Sequence, residues 1–214
     1  MQMKITKKGR YIKNVVSDLP TITFSLGNKK LSSKILIWSL PTIDTCPNCS
    51  ECKYTCYARK AEKLYPTVRP CREANWQASK LDSFIERTIK TIEQAYNKYG
   101  ARIIRIHEAG DFYSRNYAMK WEYIATSLKQ VYPDLLFYSY TKSPHKPLQG
   151  VNVVNSLMPD GSINFGTKKE IFKLAKKYKS KICPYGLTPK SVKLICGETC
   201  NACLKHTNIV FVKH

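Results

Sequence analysis

Four cysteines within eleven residues constrain this chain more than any other feature of its sequence. They lie in the segment CPNCSECKYTC, in which Cys46, Cys49, Cys52 and Cys56 have the spacing C-x2-C-x2-C-x3-C. Thiolates are soft ligands, and the groups that commonly bind four of them are an iron–sulfur cluster and a zinc ion. The spacing is that of the bacterial ferredoxin run, although Tyr57 stands where that run has proline. We therefore expect an iron–sulfur cluster of the 4Fe-4S kind, with zinc, disulfides or free thiols as alternatives.

A second group of four cysteines lies near the C-terminus. Cys196, Cys200 and Cys203 have the spacing C-x3-C-x2-C, and Cys183 lies thirteen residues before them. These thiols could bind a second metal centre or complete the first one. Zinc is a stronger alternative here, because a zinc knuckle often fixes a chain end. The N-terminal segment lacks the apolar stretch of a secretory signal, so we expect metal ligands rather than disulfides.

The charge balance predicts a polyanionic partner. The chain has 36 Lys and Arg against 15 Asp and Glu, a net charge of +21. Such an excess is most simply explained by DNA or RNA, whereas the alternative is a lysine-rich solvated surface. No run of eighteen apolar residues is present, so we expect no membrane span. The candidate nucleic-acid contacts are basic residues near the N-terminus and after the cysteine loop: Lys4, Lys7, Lys8, Arg10, Arg59, Lys60, Arg69 and Arg72.

Strand and helix patterns alternate over residues 34–184 and predict an α/β domain. Residues 34–40 form a short apolar run that ends at Pro41, which is typical of a strand buried on both faces. Further strands are predicted over 101–107, 135–140, 151–154 and 181–184, and amphipathic helices over 73–99 and 115–131. We expect a mostly parallel sheet or a partial β/α barrel of about five or six strands. A basic extension or hairpin over 1–33 precedes this domain, and a cysteine-rich tail with a final strand over 185–214 follows it.

The loop after the strand at 101–107 is the best candidate for catalysis outside the cysteines. It carries His107, Glu108 and Asp111, and in a parallel sheet it would lie at the same edge as the first cysteine loop. These side chains could bind a cation, hold a second metal or move a proton. The alternative is structural, with Asp111 capping the next helix. Tyr57, Tyr138 and Tyr140 could stack on bases or belong to the core.

The order of these motifs resembles the bacteriophage gene product 88 domain family. The resemblance covers residues from about 30 to the end and is carried by four segments: Ser39-Leu40-Pro41, Thr45-Cys46-Pro47 to Cys56-Tyr57-Ala58, His107 with Gly110-Asp111-Phe112-Tyr113-Ser114, and the cysteine-rich tail. It implies a phage protein that acts in the cytoplasm of the host cell. It implies no particular reaction.

A more distant similarity is to radical S-adenosylmethionine enzymes, which also carry a cysteine loop after the first strand of a partial β/α barrel. It implies an enzyme that would use a cluster at Cys46–Cys56 and bind S-adenosylmethionine. The cysteine spacing of those enzymes, C-x3-C-x2-C, occurs here only at Cys196–Cys203. The sequence thus leaves three hypotheses: a cluster protein that engages nucleic acid, a radical-type enzyme, and a zinc-stapled, non-catalytic nucleic-acid-binding module.

Overall fold

A seven-stranded sheet forms the centre of the protein. The computed structural model describes residues 2–49, 52–147, 149–157, 164–189, 192 and 194–212. The strands follow one another across the sheet in chain order. They are β1 (Met3–Lys8), β2 (Tyr11–Val16), β3 (Ile22–Leu26), β4 (Ile35–Ile37), β5 (Ile103–Ile106), β6 (Leu136–Thr141) and β7 (Asn152–Asn155). The α/β class expected from the sequence is therefore present.

The sheet is mixed rather than mostly parallel, which corrects the prediction from the sequence. The pairs from β1 to β4 are antiparallel, and the pairs from β4 to β7 are parallel. The short connections among residues 8–35 can only reverse the chain, whereas the longer segments after β4 and β5 contain helices that return it to the same end. Residues 1–33, expected as an extension or hairpin, thus add three strands to the sheet.

Helices connect the parallel strands on one face of the sheet. Between β4 and β5 lie α1 (Cys52–Thr55), α2 (Tyr57–Leu64), α3 (Val68–Lys80) and α4 (Phe84–Tyr99). Between β5 and β6 lies α5 (Arg115–Val131), with the bounds that its sequence pattern predicts. No helix in the described part of the chain is long and apolar enough to cross a membrane.

The single helix predicted over 73–99 is two helices. The ammonium group of Lys120, on α5, donates hydrogen bonds of 2.9–3.3 Å to the carbonyl oxygens of Ser79, Lys80 and Leu81. These are last-turn carbonyls, which need partners outside their own helix. A cation from a neighbouring helix therefore satisfies the end of α3, a contact that the apolar periodicity of the segment does not reveal.

The larger core lies between the sheet and the helices α3, α4 and α5. Trp38 is fully buried, with its ring 5.6 Å from that of Phe84 and 5.9 Å from that of Trp121. Its indole N–H donates to the hydroxyl of Tyr117 at 2.9 Å, so the polar end of the ring is also satisfied. This cluster fixes the residue at which β4 leaves the sheet and the first cysteine loop begins.

The C-terminal segment covers the opposite face of the parallel strands. Ile35, Ile103 and Tyr138 pack there against the tail, together with Cys196 and Cys203. The tail approaches so closely that a Cβ atom on Gly197 would lie 2.8 Å from the Cδ1 atom of Ile35. A small parallel sheet completes this layer, with α6 (Lys168–Tyr178) and α7 (Ala202–Lys205) beside it. Its strand order is β8 (Phe165–Gly166), β10 (Ile209–Val212), β9 (Lys181–Ile182).

A buried arginine joins the antiparallel part of the sheet to α4. Arg87 is fully buried, and its guanidinium donates to the side-chain and main-chain oxygens of Asn14 at 3.0 and 3.1 Å and to the carbonyl of Pro20 at 2.8 Å. The amide of Asn14 donates in return to the carbonyl oxygen of Arg87. A buried polar network of this kind specifies how the two elements meet, because each lost partner leaves another group unsatisfied.

We expect Arg87→Ala to lower the free energy of unfolding by about 3 kcal/mol, because it leaves a cavity and removes a hydrogen-bond partner of the Asn14 side chain. Urea unfolding followed by tryptophan fluorescence measures this change. Lys90→Ala on the same helix is the matched control, since Lys90 makes an exposed ion pair with Glu86 and its loss should cost less than about 1 kcal/mol. Equal losses for the two variants would contradict this account.

Candidate metal centres and their surroundings

The first four cysteines are gathered in the loop after β4 and the two short helices that follow. Cys46 and Cys49 lie in the loop, Cys52 begins α1, and Cys56 precedes the first residue of α2. The sulfur atoms of Cys49 and Cys52 are 3.9 Å apart. Burial, together with the charges of Asp111, Cys49 and Cys56, raises the pKa of the Cys46 thiol to about 12, against the opposing effect of a main-chain hydrogen bond with Ile43. All four thiols thus belong to one electrostatically coupled group.

The second four cysteines also come together, although they are spread over residues 183–203. Burial, together with the charges of Cys183, Cys196 and Cys200, raises the pKa of the Cys203 thiol to about 12, against the opposing effect of the Tyr140 hydrogen bond. Cys183 follows β9, whereas Cys196 is held by main-chain hydrogen bonds with Lys30 and Ser32 in the connection between β3 and β4. Tertiary contacts therefore assemble this group.

Neither group forms a finished ligand cage. In residues 2–49, 52–147 and the later described segments, no three His, Cys, Asp or Glu side chains are arranged so that they could hold a metal ion. The nine cysteines are free thiols. What supports a metal at either group is the chemistry of its donors, since four thiols in a protein with no disulfide form a soft ligand set.

An arginine lies beside the second group, and it was not among the residues singled out from the sequence. Arg105 projects from β5 toward the tail, with its guanidinium carbon 5.3 Å from the centre of the Tyr140 ring. Its Nε atom is buried and has no hydrogen-bond partner in the described part of the chain. Burial and the charge of Cys200 raise the pKa of Cys196, whereas the charge of Arg105 lowers it. The available signal was a charged residue between the isoleucines of the predicted strand 101–107.

Tyr140 links this arginine to the thiols. Its hydroxyl donates a hydrogen bond of 2.8 Å to the sulfur of Cys203. Tyr138, the other strand tyrosine considered for base stacking, is buried against the tail. The two rings therefore line the second cysteine group and are not presented to solvent as a stacking surface.

The loop after β5 meets the first cysteine loop at the same edge of the sheet, as the sequence predicted. The main chain of the two loops is joined by hydrogen bonds from Leu40 to Ala109 and from Asp111 to Thr45. Gly110, at φ +80°, lies between them, and a Cβ atom there would be 2.6 Å from atoms of Leu40 and Thr45. Only glycine allows this approach without a shift of the cysteine loop.

Asp111 ties three loops together. Its carboxylate accepts a hydrogen bond from the Thr141 hydroxyl at 2.5 Å and one from the main-chain N–H of Lys142 at 2.9 Å. The helix cap that Asp111 could have supplied comes instead from Ser114, whose hydroxyl accepts from the N–H of Tyr117. Burial raises the pKa of Asp111, while these hydrogen bonds act in the opposite direction.

His107 is enclosed in the core on the helix side of the sheet. Its ring is 4.5 Å from that of Phe112, and its Nε2 atom is 2.9 Å from the hydroxyl of Tyr117. Burial lowers the pKa of His107 to about 3, so the ring is neutral. Glu108 is less buried; its carboxylate accepts from Asn28, and its carbonyl accepts from the hydroxyl of Tyr57. The catalytic roles of His107, Glu108 and Asp111 stay predictions, and the contacts described for all three are structural.

The basic residues singled out in the sequence occupy two places. Lys4, Lys7, Lys8 and Arg10 are exposed on β1 and the turn after it. The others lie on α2 and α3.

The basic residues on α2 and α3 differ in their access to solvent. Lys60 is exposed, and Arg59 donates to the carbonyl of Lys53. Arg69 is ion-paired with Asp44 at 2.6 Å, and Arg72 is buried in a 2.8 Å pair with Glu62. Arg72 is therefore a structural residue that cannot meet a nucleic acid in this conformation.

This mixed α/β protein, with two groups of four cysteines, can now be assigned to a family. The gene product 88 family model matches residues 6–159. The chain therefore belongs to that phage family, as the resemblance predicted, although the match starts earlier than residue 30 and ends before the second cysteine group. No curated protein and no solved structure matches the chain.

The buried His107 predicts a loss of stability in acid. The unfolded chain binds a proton at its ordinary pKa of 6.5, while the folded chain resists it down to about 3. The stabilisation is therefore complete above pH 6.5 and is lost as the pH falls below that value, by about 2 to 3 kcal/mol at pH 4.5. Between pH 7.5 and pH 4.5, the free energy of unfolding should fall less for His107→Asn than for the unchanged protein. Asparagine is chosen because it tolerates the positive φ of 67° at this position. Equal pH dependence in the two proteins would contradict a neutral buried imidazole.

Proposed function

We propose that this protein holds an iron–sulfur cluster at Cys46, Cys49, Cys52 and Cys56 and engages nucleic acid in the cytoplasm of a phage host. A second metal centre at Cys183, Cys196, Cys200 and Cys203 completes the proposal. The observation that carries it is the assembly of the second group. Residues 196–203 dock against β4 and β6, and Cys183 lies near enough for its charge to act on Cys203 together with the charges of Cys196 and Cys200. Four thiols gathered in one partly buried place are a soft ligand set that a metal can use.

The environment of the thiols favours a bound metal. Burial raises the pKa of the Cys46 and Cys203 thiols to about 12, so that without a metal these two thiols stay protonated. A metal ion or cluster displaces these protons, and the free energy of binding then contributes to folding. A cluster at such a site supplies electron transfer or a structural cross-link. Arg105 and the Tyr140 hydroxyl supply positive charge and a hydrogen bond to the thiolates of the second group.

The number of thiols separates the alternatives. Four cysteines per group complete the coordination of a 4Fe-4S cluster or of a zinc ion, and leave no open iron for S-adenosylmethionine. A radical-type enzyme would need one thiol of the first group to stay free. We therefore favour a closed cluster over catalysis, with zinc as the alternative metal at the second group.

The net charge of +21 supports the nucleic-acid part of the proposal. The exposed lysines of β1 and of α2 lie at separate places on the sheet and helix layers, so the field is spread over the surface. A polyanion is the partner that such a field attracts, and its affinity should fall steeply as salt is added.

Metal analysis of anaerobically purified protein tests the proposal. We expect about four iron and four sulfide per cluster and a broad visible absorption. Cys52→Ser and Cys203→Ser should each remove about half of the bound metal, because each takes a ligand from a different group. Cys71→Ser is the matched control, since Cys71 is a single thiol on α3, and its metal content should equal that of the unchanged protein.

Each outcome of the metal measurement decides between the candidates. Zinc in place of iron at both groups would overturn the cluster and leave a zinc-stapled binding module. Protein that binds no metal, or metal loss in Cys71→Ser equal to that in Cys203→Ser, would overturn both. Cleavage of S-adenosylmethionine by the reduced protein would restore the enzyme hypothesis.

Arg105 should matter for the second centre although it is not a ligand. In a Cys52→Ser background, where only the second group binds metal, Arg105→Met should weaken metal binding roughly tenfold to a hundredfold, as losses of neighbouring groups do at metal sites. Chelator competition measures this affinity. Arg102→Met is the control, because Arg102 is half-exposed and pairs with Asp134 at the far end of the strand. Unchanged affinity in Arg105→Met would contradict the assigned role.

A further inference from the structure

We propose that the surface of α1 and α2 binds single-stranded nucleic acid by stacking bases on exposed tyrosines, and that the first metal centre holds this surface in place. This inference rests on the proposed function and adds to it the kind of nucleic acid, the residues that contact it and its dependence on metal.

Exposed aromatic rings are concentrated in one short segment. Tyr54 is 78% exposed, Tyr57 65% and Tyr65 60%, and Leu64 between them is 63% exposed. Large apolar side chains that face water as a contiguous group usually mark a binding surface. Three exposed aromatic rings within twelve residues therefore indicate a binding surface and not an ordinary solvated helix face.

The same segment is positively charged. Residues 52–65 contain one acidic residue, Glu62, whose side chain is 7% exposed and paired with Arg72. The ammonium group of Lys53 lies 5.0 Å from the centre of the Tyr54 ring. The basic residues that share this segment with the tyrosines are Lys53, Arg59, Lys60 and Lys63. Aromatic rings interleaved with cations match the alternation of bases and phosphates along a single strand.

One of the rings is fixed in orientation. The hydroxyl of Tyr57 donates a hydrogen bond of 2.6 Å to the carbonyl of Glu108, while most of its ring faces solvent. Because the hydrogen bond already fixes one end of the exposed ring, the side chain loses little further conformational entropy when a base stacks on it. Glu108 belongs to the loop that packs on the first cysteine loop, so this tyrosine is oriented by the edge of the sheet.

Single strands fit this surface better than duplexes. In a duplex the faces of the bases are covered by their neighbours, whereas an unpaired strand can splay its bases onto protein rings. A partner that offered only negative charge, such as an acidic protein, would leave the tyrosine rings without a function.

The surface is built on two of the proposed metal ligands. Tyr54 lies between Cys52 and Cys56, and Tyr57 directly follows Cys56. The helices α1 and α2 are four and eight residues long, which is too short for either to be stable by itself. A metal bound by Cys52 and Cys56 fixes the junction between them. Loss of metal should therefore release the nucleic acid.

The test is fluorescence anisotropy of metal-loaded protein with a labelled oligothymidylate, an abasic strand of the same length and a duplex of the same length. We expect the oligothymidylate to bind at least tenfold more tightly than either of the others. Tyr54→Leu combined with Tyr65→Leu should remove that preference, since stacking of each base contributes on the order of a tenfold change or more. Tyr123→Leu is the matched control, because Tyr123 is 58% exposed on α5, outside this surface.

Charge variants separate phosphate contacts from stacking. Lys60→Gln combined with Lys63→Gln should weaken binding of the abasic and the normal strand alike, and should reduce the slope of log affinity against log salt by about 1.4. Removal of metal with a chelator should lower the affinity for the oligothymidylate at least tenfold, and reloading should restore it. Circular dichroism of each variant checks that the fold is kept.

Several results would overturn the inference. Equal binding of abasic strand and oligothymidylate, preference for the duplex, or an equal effect of Tyr123→Leu and the double tyrosine variant would each exclude the stacking surface. Metal-loaded protein that shows any of these results would leave the metal centres standing and remove only this inference. Tyrosine-dependent binding by protein that holds no metal would instead remove the metal centres and the coupling.

Discussion

The burial of β4, β5 and β6 on both faces is the constraint on which the rest of the structure depends. Alternate residues of these strands face opposite layers: Leu36 and Ile104 meet the helices, whereas Ile35 and Ile103 meet the C-terminal tail. A strand can be apolar on both sides only if both layers are in place. The loop that carries the first cysteine group begins at the edge formed by the ends of these strands. The second group packs against one face of the strands, so the same three strands position both groups.

Residues at this edge of the sheet hold the neighbouring loops in place. Asp111 accepts a hydrogen bond from the loop after β6, and Gly110 lets the first cysteine loop pack closely against the loop after β5. The His107 ring packs against the aromatic ring of Phe112. Asp111 and His107 look chemically active in the sequence, because titratable side chains after a parallel strand often form sites. In this fold they provide the rigid frame from which Cys46 and Tyr57 project. The proposed function therefore rests on the thiols and on the surface beyond them.

Local patterns predicted the elements that local interactions determine. The helix at 115–131 has the bounds expected from its apolar stripe, since Ser114 caps its start and the stripe runs unbroken to Val131. The break between α3 and α4 was missed, because the cation that ends α3 comes from Lys120, about forty residues later. The antiparallel strands β1 and β2 were missed too, since their hydrogen-bond partners, and not their own composition, make them strands.

The sequence by itself determined the two four-cysteine groups, the excess of positive charge, the α/β class and the family, because spacing, composition and periodicity can be read without knowing what touches what. Only the tertiary structure decided that Arg105 lies beside the second group, that Arg72 and His107 are buried, and that the tyrosines of α1 and α2 face water. These facts depend on contacts between residues far apart in the chain. Burial and charge pairing arise from such contacts, and no local pattern encodes them.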